Sequence, residues 1–135
     1  MFTKRLLQAL LIVVAILSRL GLASASDTDS IDFRRDIRPI LSDNCFACHG
    51  PDEEHRESGL RLDQAESAME SSIVSGDAEA SELIARITTD DDDLLMPPAD
   101  TGKRLTSDQV ELLRRWIDQG AVFDGHWAFT APQRP

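Results

Sequence analysis

Two thiols and an imidazole fall within five positions of this chain, in the stretch 44–50, NCFACHG. Cys45 and Cys48 are its only cysteines, and His49 follows at once. Four kinds of chemistry use such groups. A Cys45–Cys48 disulfide would close a tiny loop and remove little unfolded-state entropy, so it would be a poor staple. A thioredoxin-like dithiol sits at the end of a strand in a β-α-β pattern, and the sequence has no strand-like alternation. A structural zinc site needs a second cysteine pair, which is absent.

The remaining reading is that C-x-x-C-H is the haem attachment signature. Two thiols on one helical turn can add across the two vinyl groups of haem and become thioethers. The next residue then aims its imidazole at the iron from the face where the sulfurs hold the ring. Cys45 and Cys48 are therefore expected as the covalent anchors of one haem c, and His49 as the proximal iron ligand. Met96 is the expected distal ligand. It lies in LLMPP (94–98), where two prolines preset the backbone so that a thioether loses little further entropy on binding. The competing view of Met96 is a gap-filling core residue. Met69 fits that description better. His55 and His126 are rival ligands, but His55 lies too close to His49 to reach the opposite haem face. Arg56 and Arg61 flank the motif and could meet the haem propionates, a solvated salt bridge being the alternative for each. The run 90–93 of four aspartates lacks the alternation of a calcium loop and reads as solvated.

With histidine and methionine both on the iron, oxygen and peroxide find no open position, and a thioether raises the potential. Such a site shuttles single electrons. No Ser/His/Asp set or shielded carboxylate pair stands out, so the chain reads as an electron carrier and not as an enzyme.

These residues must be held by helices. Phe33, Ile37, Ile40 and Leu41 recur at i, i+4, i+7, i+8, one face of a helix running into Cys45 and capped by Asp32 or Asp36. Pro39 is tolerated only in a first turn, which places Phe33 in a preceding turn or beyond a kink. The segment 50–59 is polar with glycine at both ends and reads as a loop. A weak helix follows around 64–69, and Asp77 can cap another carrying Leu83, Ile84 and Ile87. Met96, followed by proline, cannot be helical. The last helix is the clearest: Thr106 and Gln109 form a capping box, Val110, Leu113, Trp116 and Ile117 form a stripe, and Gly120 stops it.

Residues 1–25 have the layout of a secretory signal peptide, with Lys4 and Arg5, an apolar run from Leu6 to Leu17, and small residues at Ala23 and Ala25. An uncleaved anchor is the alternative, and only then is a membrane a partner. The division expected is a signal peptide over 1–25, a polar lead-in over 26–31, a haem domain over 32–125, and a tail or start of a linker over 126–135. Export, to the periplasm or another extracytoplasmic space, suits a haem that must be attached outside the cytoplasm. The full chain has a formal charge of −10; cleavage leaves 11 basic and 24 acidic residues, a net charge of −13. That excludes nucleic acid as a natural partner and favours a basic redox protein.

As an ordered set, DIRPIL (36–41), CFACHGPD (45–52), GLRLD (59–63), SELIARI (81–87), MPP (96–98), WIDQGA (116–121) and HWAF (126–129) resemble the planctomycete-type cytochrome c domain. The resemblance runs over about 32–135. It implies an all-α, class I cytochrome c-like fold of three to four short helices around a covalent haem, with Cys45, Cys48 and His49 on the attachment motif and Met96 as distal methionine. Ser75 and Ala78 stand where proline is common in that family. The domain usually opens a longer exported protein, so further downstream domains are an expectation. Two alternatives to a free electron carrier follow: a haem domain serving, or sensing redox state for, a catalytic domain outside this chain, and a five-coordinate haem gas sensor in which Met96 does not ligate.

Overall fold

The computed structural model describes residues 30–123. The expected signal peptide, most of the lead-in, His126 and the HWAF tail lie outside them. Among the described residues there is no strand, only an isolated bridge between Val74 and Asp77. No described helix is long and apolar enough to cross a membrane. A π-helical turn, Phe33–Ile37, leads into α1, Arg38–Asn44. Then come α2, Phe46–His49; α3, Ala65–Ser71; α4, Glu82–Thr88; a 3₁₀ turn, Ala99–Thr101; and α5, Ser107–Asp118.

Pro39 explains the first element. It occupies the second position of α1, where its missing N–H costs least. It cannot donate to the carbonyl four residues back, and the chain before it winds wider: Arg38 N–H donates to the Phe33 carbonyl, five residues back. Asp32 is the cap. Its Oδ1 accepts from Arg35 N at 2.8 Å, while Asp32 N donates to Asp36 Oδ2 at 2.9 Å. The two aspartates thus share the work in a reciprocal cap.

α5 begins and ends as its residues dictate. Thr106 Oγ1 accepts from Gln109 N at 3.2 Å and Gln109 Oε1 accepts from Thr106 N at 2.9 Å. At the other end Ala121 N donates to Trp116 O and Gly120 N to Ile117 O, both at 2.9 Å. This paired closure requires a left-handed residue, and Gly120 supplies it with φ 105°.

The core forms where the π turn and α5 cross. Ile37, Leu41, Leu113, Trp116 and Ile117 are each at most 1% exposed. Phe33, Trp116 and Phe123 make a ring cluster with centroids 4.6 to 5.6 Å apart. Every apolar position of the first expected stripe is buried, and of the last stripe only Val110 is half-exposed. α4 packs against α5 and buries Leu83 and Ile84.

One expectation is corrected. Asp77 does not cap α4: the N-cap is Ser81. Asp77 Oδ1 instead accepts from Ala80 N at 3.0 Å and opens the preceding turn, because four residues separate it from the helix it was expected to cap. The first helix runs into Cys45, its C-cap, as expected. Cys45 leaves helical geometry at φ −121°, and the chain restarts as the one-turn α2. The described residues thus hold five short α-helices and no strand, the all-α class expected.

Ser75 and Ala78, the two departures from proline, are used. Ser75 Oγ donates to Gly120 O at 2.7 Å and Ala78 N donates to Asp118 Oδ1 at 2.9 Å. Proline at 78 would have no hydrogen to give.

Candidate haem site

Cys45, Cys48 and His49 sit on one turn. The Cys45 carbonyl accepts from Cys48 N at 3.1 Å and from His49 N at 2.8 Å. The loop 50–62 folds back to close the far end of α2: Glu57 N donates to Cys48 O and Leu62 N to His49 O, both at 2.8 Å. A four-residue helix leaves its last carbonyls unsatisfied, and these two bonds supply the missing donors.

Gly50 is the exit from the turn, and its backbone is extended. A Cβ there would strike the Phe46 carbonyl oxygen and lie 3.0 Å from Phe46 Cβ. Only glycine lets the chain leave this turn so close to its own start. Sequence reasoning missed that role; the signal was a glycine directly after the motif.

Both thiols are free and half-buried. Burial pushes the Cys45 thiol up to about 11, with Lys103 pulling the other way. It is held as S–H, the form that adds across a vinyl group. Desolvation lowers the His49 pKa, so the imidazole is neutral and keeps a lone pair for a metal. His49 Nδ1 is buried and has no hydrogen-bond partner among the described residues. An orphaned buried nitrogen costs about 1–3 kcal/mol, and protein contacts alone do not account for it. No three His, Cys, Asp or Glu side chains converge as a bare ion would require, among the described residues. Two free thiols and a neutral imidazole on one turn fit haem c, which brings its own iron.

Met96 is half-buried in the non-helical segment before the 3₁₀ turn, and its N–H donates to Arg86 O at 2.9 Å. It lines a cavity of about 60 Å³ with Ile87, Leu95, Pro97, Lys103 and Leu105. This cavity alone is smaller than a porphyrin, and neither thiol nor His49 lines it. Met69, by contrast, packs against the core. A second cavity, of about 320 Å³, is lined by Phe33 and Trp116 among others, and by neither thiol nor His49.

The remaining candidates are engaged elsewhere. His55 is exposed, with Nδ1 2.9 Å from Asp52 Oδ2. Arg56 donates to the carbonyls of Gly50 at 3.1 Å and Pro51 at 3.0 Å, bracing the loop. Arg61 forms a two-pronged pair with Asp63, at 3.0 and 2.5 Å. The Arg61 guanidinium holds the Asp63 carboxyl below its usual range. The aspartates 90–93 are exposed.

Residues 45–100 match the family model described as Planctomycete cytochrome C. Over these residues the chain is similar to that family. The match begins at Cys45, includes Cys48, His49 and Met96, and stops before α5. It thus spans every proposed iron and thioether position, while the crossing of the π turn with α5 falls outside it. That similarity suggests a haem-binding, electron-transfer role, and the Cys45/Cys48 pair fits haem c. No curated protein and no solved structure matches the chain.

Proposed function

We propose that this chain is an exported monohaem cytochrome c module that passes single electrons and has no catalytic activity of its own. Cys45 and Cys48 would hold the haem through thioethers, His49 through its imidazole and Met96 through its sulfur. When bound, haem supplies a one-electron iron couple; the chain supplies the grip. The carrying observation is the single turn on which Cys45 accepts from both Cys48 and His49, with the thiols unjoined and the imidazole neutral and unpartnered at Nδ1.

Met96 is favoured over Met69 because it lines a cavity while Met69 fills core. Filling both axial positions disfavours gas binding and supports electron transfer over sensing. The acidic surface suits a basic redox partner. Export is supported by the charge and apolar pattern of residues 1–25.

The test is expression of the full chain with a c-type maturation system, followed by intact mass and the spectrum of the reduced form. The expected result is one covalent haem and a low-spin spectrum that Met96→Ala converts to high-spin. A colourless chain with both thiols free would overturn the proposal.

A further inference from the structure

Lys103 connects the two halves of the candidate site, which are far apart in sequence. Its Nζ donates to the Asp43 carbonyl at 2.5 Å, across 60 residues. Asp43 is in the last turn of α1, two residues before Cys45. The same side chain lines the cavity beside Met96. A lysine at the carboxyl end of a helix also meets the negative end of its dipole. Lys103 is half-buried, and no carboxylate among the described residues pairs with it, in a chain with 24 acids. Its charge is felt at Cys45, where it opposes the effect of burial.

We propose that Lys103 is a positioning residue of the haem site, which fastens the Met96 segment to the end of α1 and raises the reduction potential through its unpaired charge. The inference rests on the haem reading above. The mechanical part follows from the bond to Asp43: the ammonium ties the segment after Met96 to the helix that leads into the thiols. The electrostatic part follows from Coulomb's law in a partly dry setting. A cation held near the iron disfavours the ferric state, which carries one more positive charge. Arg104 lines the same cavity but is exposed, so solvent screens it.

The experiment compares the full haem-loaded chain with Lys103→Gln, Lys103→Arg and Arg104→Gln. Lys103→Gln should move the ferrous/ferric equilibrium about threefold toward ferric, ~30 mV at 59 mV per tenfold for one electron. It should also let the ferrous form take up carbon monoxide faster, as Met96 is held less firmly. Lys103→Arg should restore the potential, and Arg104→Gln should leave it near the parent value. If the parent chain loads haem but Lys103→Gln has its potential and its carbon monoxide rate, the inference fails and the haem reading stands. If Arg104→Gln shifts the potential as far as Lys103→Gln, a general charge effect replaces it. If the parent chain takes up no haem, both fall together.

Discussion

Where the π turn crosses α5, Phe33 is 7% exposed, Trp116 1%, and Ile37 and Ile117 0%. Around the thiols, Cys45, Cys48, His49 and Met96 are all half-buried, one imidazole nitrogen has no partner, and a cavity opens beside Met96. Apolar side chains complete the first region. The second is closed by backbone hydrogen bonds from the loop 50–62 and by one lysine, while its reactive side chains stay uncommitted. The scaffold satisfies itself and the site does not, which is the arrangement expected of a small chain whose core is completed by a cofactor.

The sharpest test of that contrast removes one large side chain from each region of the purified chain. Trp116→Ala deletes a buried ring that touches Phe33 and Phe123, and should cost about 3–5 kcal/mol in denaturant unfolding. Met96→Ala in the haem-free chain should cost only about 1 kcal/mol, because the side chain is half-exposed and lines space. Equal losses would erase the distinction between scaffold and site.

The scaffold was legible in sequence for a physical reason. Helical periodicity and capping are local, so Phe33, Ile37 and Leu41, the Thr106–Gln109 box and the Gly120 stop could all be read directly. The motif 45–49 was legible because covalent haem attachment demands a fixed spacing. What escaped was set by contacts distant in sequence or by sterics. The Lys103–Asp43 bond spans 60 residues and has no local signature. The engagement of Arg56 with two loop carbonyls and of Arg61 with Asp63 depends on how the loop folds back. The turn before Pro39, by contrast, could be read from the proline itself, though its widening to a bond five residues back could not.

The half-buried Cys45 thiol gives the two regions a second point of contrast. With its pKa pushed up to about 11, Cys45 in the chain produced without haem should be almost wholly S–H at pH 8. The reactive thiolate is then about 100-fold scarcer than for a thiol at 9, so alkylation should be slower by about that factor. The sign follows from burial of a group that is charged only when deprotonated: the rate should climb about tenfold per pH unit and level off above 11. Mass mapping of the alkylated peptides resolves Cys45 from Cys48. Rapid alkylation of Cys45 at pH 8 would show the site to be as open as the surface.

The smallest effect separates two glycines that bracket one loop for different reasons. Gly50→Ala places a Cβ against the Phe46 carbonyl on an otherwise ordinary extended backbone, so α2 itself must shift. Overpacking of this kind costs about 1–3 kcal/mol. Because the displaced turn carries both thiols and His49, covalent haem yield should fall with stability. Gly59 has φ 71° and open space where a Cβ would go. Gly59→Ala therefore meets only conformational strain, about 1 kcal/mol, and should load haem as the parent does. Thermal unfolding and haem-to-protein absorbance ratios for the two variants decide the matter. If Gly59→Ala lost haem as readily as Gly50→Ala, the loop as a whole would shape the site, and the tight exit past Phe46 would have no special part in it.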